Sequence, residues 1–312
     1  MPITDDFSEQ LAGKSVLVTG ASGFIGSHLC QRLSECGARI HAVSRKAHLQ
    51  RDGGPQWWQA DCADFEAMQR IVQSAQPQLV FHLASYVAGA RSLQAVLPTF
   101  HDNLASTVHL LTAVAEAGCQ RVVLASSSEE PQTFDGASIA CSPYAAAKWA
   151  SNVYGRMFHQ LFQVPVVMPR IFMTYGPDQK DTDKLVPSVV LQLLRGQAPK
   201  LSSGRRRADW IYVDDVVEGL LRAALVPGIE GSSFDLGTGL LLSVRQIVER
   251  IAAIIGPSIE PAFGALPDRP FEQERPADTD FLLNRLGYKP STAVAEGLES
   301  TVAWYRRHLS IG

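Results

Sequence analysis

The sequence predicts a doubly wound α/β fold, a parallel sheet covered on both faces, with a smaller interleaved C-terminal α/β lobe. Three observations carry this. Strand-like and helix-like segments alternate through the first half of the chain. The strands are near-continuously apolar, as in Gln78-Leu79-Val80-Phe81-His82-Leu83, which implies burial on both faces. The first strand runs into a turn with three glycines at intervals of three, Gly20, Gly23 and Gly26, followed by an amphipathic segment.

In chain order, strands are expected over 15–19, 38–43, 79–83, 121–125 and 165–170. Helices are expected over about 24–36, 64–75, 99–117 and 143–162. After Arg170 the alternation weakens and proline and glycine become dense, at Gly176-Pro177, Pro187, Gly196 and Pro199. The apolar run Trp210-Ile211-Tyr212-Val213 is read as a strand, with Asp214 or Asp215 capping a helix to about 226. A strand at 233–236 and helices at 243–255 and 294–308 close the chain. The pattern divides the chain into residues 1–170 plus about 205–237, forming a dinucleotide-binding domain, and 171–204 plus about 238–312, forming a substrate lobe. A cleft is expected at the strands' C-terminal edge, where open α/β sheets bind ligands.

The segment Val16 to Gly26 is the strand, turn and helix start that a dinucleotide pyrophosphate requires, the hallmark of a Rossmann fold. Gly20 makes the tight turn, Gly23 lets the backbone approach the phosphates, and Gly26 lets the helix pack against the sheet. The helix N-terminus attracts the anion. Further on, Tyr144 and Lys148 stand four residues apart after Ser142-Pro143, and so share one face of a helix. A phenol of reference pKa ~10 becomes a usable base when an ammonium and an oxidised nicotinamide favour its anion. Three units of lowering take about 4 kcal/mol. Such a tyrosine exchanges a proton with a carbinol oxygen while hydride moves to or from a nicotinamide. Ser126-Ser127-Ser128-Glu129-Glu130 ends a predicted strand, where a hydroxyl can orient a carbonyl.

Composition narrows the partners. A formal charge of −3 over 312 residues gives no footprint for nucleic acid, and Arg205-Arg206-Arg207 is too short to make one. The acidic, polar start is not a signal peptide, and no apolar run reaches the ~18 residues of a membrane span, so a cytoplasmic location is expected. Cys30, Cys36, Cys62, Cys119 and Cys141 show no Cys-x-x-Cys pair and no histidine at ligand spacing. Reduced thiols and no metal site are expected.

At this point the chain resembles the extended short-chain dehydrogenase/reductases that act on nucleotide sugars, namely epimerases, dehydratases and 4-keto-sugar reductases. Thr19 to Gly26 is similar to the family's TGxxGFIG turn, so the resemblance implies cofactor contacts from Gly20, Ser22, Gly23, Phe24, Ile25 and Gly26. Asp61-Cys62 stands where the family contacts the adenine. Phe81-His82-Leu83-Ala84, with Ser85 following, resembles its HLA strand beside the cofactor, and Asn103 the Asn of N-x-x-x-T. Tyr144 and Lys148 match the catalytic pair, with Lys148 also holding the nicotinamide ribose. Ser127 is the favoured catalytic hydroxyl, and Ser128 takes its place if the alignment shifts by one. Arg170 to Pro177 is similar to RxFNxYGP, Asp209 to Asp215 to the D-[FW]-I-x-V-D-D strand, and Leu286 to Pro290 to LGxxP. The resemblance also implies a homodimer through the helices near 99–117 and 143–162.

Departures from the family pattern bear on the reaction. Ser44-Arg45-Lys46 closes the second strand where an Asp would bind the ribose 2′-OH, which favours NADP(H) while NAD(H) stays open. Dehydratases resembling this chain carry Thr-Asp-Glu after the fifth strand. Here Ser128 takes the Asp position and Glu129 the Glu position, which argues against dehydration unless Glu130 substitutes. Met173 replaces the usual Asn near the substrate phosphates, and Ala208 the usual Arg. A rebuilt clamp would draw on Arg170 and Arg205 to Arg207, Arg207 foremost, with Arg269 or Arg275; otherwise the substrate is not an ordinary nucleotide sugar. The segment from Ser127 to Tyr144 is short for the family, and Pro131-Gln132 replaces its usual Tyr-Gly, so the substrate cleft is reshaped.

Three readings follow. The first is NADPH-dependent reduction of a nucleotide-linked 4-keto-6-deoxyhexose. The second is a nucleotide-sugar 4-epimerase with tightly bound NAD. The third, of another class, is a dinucleotide-sensing regulatory or scaffold protein, for which a tuned phenol has no use.

Overall fold

The computed structural model describes residues 6–87, 91–131, 138–256, 259–269 and 273–309. In chain order the elements begin with α1 (Asp6–Leu11), β1 (Ser15–Thr19), α2 (Phe24–Glu35), β2 (Arg39–Ser44), β3 (Gln56–Gln59), α3 (Phe65–Ala75) and β4 (Leu79–His82). A 3-10 turn (Leu93–Ala95), α4 (Val96–Thr99) and a π-helical turn (Phe100–Ala105) lead directly into α5 (Ser106–Ala117). Then follow β5 (Arg121–Leu124), β6 (Ser126–Ser127), α6 (Pro143–Phe162), β7 (Val166–Ile171), β8 (Met173–Tyr175), α7 (Leu185–Leu194), β9 (Arg207–Tyr212) and α8 (Val213–Leu225). The last are β10 (Ser233–Leu236), β11 (Leu241–Ser243), α9 (Val244–Ile255), α10 (Asp280–Asn284) and α11 (Val294–Leu309). The chain forms two compact units. One comprises Met1–Ile171, Val217–Asp235 and Asp280–Tyr288; the other comprises Phe172–Val216, Leu236–Thr279 and Lys289–Gly312.

The first unit holds a sheet in the order β10-β7-β5-β4-β1-β2-β3, with β6 continuing along β7. The pairs β1–β2, β1–β4, β4–β5, β5–β7 and β2–β3 are all parallel. The strand order therefore reverses between β1 and β4, the place where such sheets bind ligands. Every residue of β1, β4 and β5 is buried, as the apolar runs require. Met68, Ile71 and Val72 of α3 and Leu110, Leu111 and Val114 of α5 close over Leu17, Val80 and Val122. Asp64 caps α3 by accepting from the Ala67 N–H, and Ser142 caps α6 by accepting from Ala145, with Pro143 in its first turn.

Two features here differ from the sequence pattern. β3, with exposed glutamines at both ends and half-buried Trp57 and Trp58 between them, is a short edge strand without an apolar run to announce it. The helix expected from about 99 continues from Val96 through the π-helical turn, a local widening that the 3.6-residue period cannot encode.

The second unit has its own sheet, β11-β9-β8, with β11 antiparallel and β8 parallel to β9. Its core joins Val189 and Val190 of α7, Trp210 of β9, Ile247 and Ile251 of α9, and Leu298 and Val302 of α11. Residues 205–216, placed by the sequence pattern with the large sheet, lie in this unit because β9 pairs with β8 and β11. Residues 280–288 lie in the first unit, where Phe281 stacks on Phe234 at 4.5 Å. Helix α7 forms within the proline- and glycine-dense stretch, and Pro187 does not break it. The proline occupies the first turn, where an N–H has no intrahelical acceptor anyway. The proposed capping role of Asp214 or Asp215 is corrected too. α8 starts directly after β9, and Asp215 instead accepts the backbone N–H groups of Ser291 and Thr292, both at 3.1 Å.

One buried histidine makes the fold pH-sensitive. His82, at the end of β4, meets the Thr19 hydroxyl at 2.7 Å through Nδ1 and the Ser106 hydroxyl at 3.4 Å through Nε2. Burial, and after it the charge of Lys148, push its pKa down to about 3. The unfolded imidazole binds its proton near the ordinary value of 6.5. Between these values the unfolded chain holds the extra proton, so stability falls as pH falls through the window, by at most about 1.4 kcal/mol per pH unit. In urea unfolding measured between pH 6.5 and 4, His82→Gln should show a shallower loss of stability than the wild type. Equal slopes would contradict this assignment.

Candidate active site

The glycine turn is built by backbone contact. Gly20 has φ +67°, and a Cβ there would lie 2.7 Å from the Ala84 nitrogen and 2.8 Å from the Leu83 carbonyl carbon. A Cβ on Gly26 would stand 2.1 Å from the Gly20 carbonyl oxygen. Thr19 ties the two strand ends together: its carbonyl accepts from the Leu83 N–H and its hydroxyl from the Ala84 N–H, both at 3.2 Å. Helix α2 starts at Gly23 with no side-chain cap, so its first N–H groups, those of Phe24 and Ile25 included, are not taken by a capping side chain. This turn fits a dinucleotide pyrophosphate, which would be held by the backbone of Gly20 to Gly26 and the N-terminus of α2.

Around the turn, Ser22 and Ser44 meet hydroxyl to hydroxyl at 3.2 Å, and Ser44 also meets the Lys46 N–H and His48 Nε2, each at 3.2 Å. Lys46 is exposed, whereas Arg45 donates to the Asp102 carboxylate at 2.8 Å, so the Arg45-Lys46 pair is half neutralised. Asp61 is exposed, and Cys62 beside it is buried, its thiol pushed up to about 12 chiefly by burial. Asn103 is fully buried. Its side-chain oxygen accepts from the Ser85 hydroxyl at 3.1 Å and the Tyr86 N–H at 2.6 Å, while its amide donates to the Tyr86 carbonyl at 3.2 Å. Its work is to clamp the loop after β4.

The chemistry-bearing group assembles at the ends of β5 and β6 against α6. The side chains of Ser127 and Ser85 lie beside the Tyr144 phenol, close enough to favour its anion. Ser127 Oγ also accepts from the Glu129 N–H at 3.2 Å. Ser128 is not part of this contact; its N–H donates to the Ile171 carbonyl. Glu130 is buried and satisfied. Its carboxylate accepts from the Ser126 hydroxyl, from the Ser127 N–H at 2.9 Å and from the Asn152 amide at 3.1 Å. Thus Glu130 positions the Ser127 backbone and is not free to substitute for a missing acid. Glu129 lies nearer the surface and accepts from the Ser142 hydroxyl at 3.4 Å.

Lys148, one helical turn after Tyr144, is buried and donates to the Ala125 carbonyl at 2.9 Å. Burial pulls its pKa down to about 8, against the opposing charge of Glu130. The expected lowering of the phenol draws on an oxidised nicotinamide as well as on Lys148; in the protein alone the balance lies the other way. Burial raises the Tyr144 pKa above its ordinary range, the charges of Glu129 and Glu130 add to this, and the Ser127 and Ser85 side chains oppose it. A phenol kept in its protonated form is suited to donating a proton.

The expected substrate-binding residues are mostly engaged elsewhere. Arg170 donates from Nε to Asp235 at 2.6 Å and from Nη1 to the Ser233 hydroxyl at 3.2 Å, because Asp235 is buried and needs a cation. In the second unit, Met173 packs against the apolar core. Arg207 is paired with Glu274, which accepts from its backbone N–H at 3.1 Å and from Nε at 3.2 Å. Arg269 is exposed, and Arg275 lies over the Phe172 ring at 4.6 Å. The residue that organises this unit's loops is Asp209. Its carboxylate accepts from the N–H groups of Thr238, Gly239 and Ala277 and from the Thr238 hydroxyl. Only the acidic start of a strand hinted at it. Pro131 is buried, while Gln132 lies outside the described residues. Among the described residues no group of three His, Cys, Asp or Glu is placed to hold a metal ion, and no helix is long and apolar enough to cross a membrane. The five cysteines are unpaired thiols, with Cys30, Cys36 and Cys62 buried.

Comparison with known proteins agrees with this geometry. The model of the NAD dependent epimerase/dehydratase family matches residues 16–237. A UDP-glucose 4-epimerase of Mycolicibacterium smegmatis is 32% identical over 312 aligned residues, covering 93% of this chain and 98% of that protein. A dTDP-glucose 4,6-dehydratase of an Actinoplanes species is 29% identical over 321, covering 95% and 98%. Among solved structures, the UDP-glucose 4-epimerase of Thermus thermophilus in complex with NAD is similar with a TM-score of 0.81 and 27% identity, covering 93% of this chain and 98% of that one. The UDP-glucose 4-epimerase of Thermotoga maritima with UDP-glucose gives 0.85 and 26%, covering 94% and 99%. The glycine turn, the Tyr144–Lys148 face and these likenesses converge: the chain is an enzyme of the NAD dependent epimerase/dehydratase family.

Proposed function

We propose that this enzyme is a nucleotide-sugar 4-epimerase that uses NAD. The observation that carries the reading is Tyr144 beside Ser127, with Lys148 one helical turn away in the same unit as the Gly20–Gly26 turn. Two further points favour it over the NADPH-dependent 4-keto reductase. The pairing of Arg45 with Asp102 weakens the case for a 2′-phosphate, and the relatives include a UDP-glucose 4-epimerase. Dehydration is disfavoured because Ser128 stands at the acid position and Glu130 is buried in hydrogen bonds.

Gly20, Gly23 and Gly26 would hold the pyrophosphate and Lys148 the nicotinamide ribose, with Asn103 fixing the loop beside them. When bound, NAD supplies the capacity to take a hydride from a carbinol carbon and return it. Ser127 would orient the sugar's 4-oxygen; Tyr144 would act first as the phenolate that takes the 4-hydroxyl proton, an anion favoured by the charges of Lys148 and of an oxidised nicotinamide, and then as the phenol that returns it. Inversion requires the oxidised sugar to present its other face before hydride returns to C4. The substrate is a nucleoside-diphosphate hexose, with UDP-glucose as the first to try.

The same helices suggest a homodimer. Leu93, Leu97 and Phe100 near α4, and Val153, Leu161 and Phe162 on α6, are exposed apolar side chains, more than a monomer ordinarily leaves on two neighbouring segments. Light scattering should give about twice the chain mass, and Leu97→Lys combined with Leu161→Lys should shift it toward the monomer. A monomeric wild type would contradict this.

The function itself is tested by incubating the enzyme with UDP-glucose and following UDP-galactose by chromatography. Interconversion without net consumption of cofactor is expected. Tyr144→Phe should lower the rate at least a hundredfold and Ser127→Ala about tenfold or more, within the range typical of positioned proton donors. NADPH oxidation by a nucleotide-linked 4-keto sugar, with no epimerisation of any nucleotide hexose, would overturn the reading in favour of the reductase.

A further inference from the structure

The cofactor's adenosine end is unusual in its charges. In doubly wound folds a carboxylate closing the second strand binds the ribose 2′-OH and repels a 2′-phosphate, whereas a nearby arginine welcomes the phosphate. Strand β2 ends instead at Ser44, whose hydroxyl is shared among Ser22, the Lys46 N–H and His48. The adjacent Arg45 is the phosphate-seeking residue by position, yet its guanidinium is bound by Asp102 at 2.8 Å. Asp102 is contributed by the π-helical turn Phe100–Ala105, 57 positions further along, and it directly precedes the clamp residue Asn103. Its side chain is only 19% exposed, whereas that of Arg45 is 63% exposed. Asp61, Arg45 and Asp102 all act electrostatically on the buried Cys62 thiol, so the three charges share one corner of the unit. Two carboxylates stand there with two cations, Arg45 bound to Asp102 and the exposed Lys46 beside it.

We propose that Asp102 sets the cofactor preference of this enzyme, supplying from the π-helical turn the negative charge that β2 lacks and so selecting NAD over NADP. The inference rests on the reading that the chain binds a nicotinamide dinucleotide. The logic holds in either geometry of Arg45. If the ion pair persists, the guanidinium does not serve a 2′-phosphate. If Arg45 turns to the phosphate, Asp102 is left unpaired beside a group of charge about −1.5 to −2. A single exposed ion pair is weak in itself. The discrimination comes from this second, repulsive arm, which an unphosphorylated ribose escapes.

The test is a binding competition, independent of turnover. The whole enzyme is equilibrated with equimolar NAD+ and NADP+, freed of unbound nucleotide and denatured, and the two released nucleotides are counted. The wild type should release at least tenfold more NAD+ than NADP+. Asp102→Asn should shift the ratio toward NADP+ by at least tenfold. Arg45→Gln alone should shift it further toward NAD+. The double variant should fall back toward the wild-type ratio, because the freed guanidinium is gone. An unchanged ratio in Asp102→Asn, or equal loss of both nucleotides with Arg45→Gln also neutral, would overturn the proposal. A wild type that retains neither nucleotide would overturn the cofactor reading and the proposal with it.

Discussion

One close backbone approach in the first unit is that on which its other features depend. The end of β1 and the loop after β4 meet at Gly20, where a Cβ would fall within 3 Å of the Leu83 and Ala84 backbones. Gly26 then brings α2 down onto the Gly20 carbonyl. These contacts exist only because two side chains are missing. They set the point where the sheet's order reverses and leave the N-terminus of α2 open beside it. Thr19 links the same two strand ends through its hydroxyl, and His82 continues the network to Ser106 on α5.

Burial of polar groups does the remaining positioning. Glu130 could be kept in an apolar setting only with its oxygens satisfied, and the groups that satisfy it are the ones beside the site: Ser126, the Ser127 N–H and Asn152. Lys148 is fixed on Ala125 in the same way. Asp235 captures Arg170, and Asp209 gathers three backbone N–H groups of the second unit. The side chains left for chemistry are those not consumed by such needs. That is why Ser127 stays beside Tyr144 while Glu130 serves another end.

Much of this was legible in the sequence, and the division follows from the range of the interactions. The glycine turn, the cap at Ser142 and the shared face of Tyr144 and Lys148 are set by residues within a few positions of one another, so spacing was enough. Arg170, Arg45 and Arg207 were read as free cations because their partners, Asp235, Asp102 and Glu274, lie 65, 57 and 67 positions away. No local pattern announces such a pair. In the protein alone burial raises the Tyr144 phenol, an effect that the helical spacing to Lys148 does not carry. Helix α7 lies within the proline- and glycine-dense stretch, and the position of its proline in the first turn makes that residue harmless. The placement of β9 was a matter of sheet pairing, which the apolar run alone did not decide.

The account stands or falls on the glycine turn as a cofactor cradle. Its most direct test is the affinity of Gly26→Ala for NAD+, measured on protein shown by circular dichroism to be folded. A Cβ 2.1 Å from the Gly20 carbonyl must push α2 away from the turn, so NAD+ binding should weaken at least tenfold. A folded Gly26→Ala variant that binds NAD+ as tightly as the wild type would contradict the account.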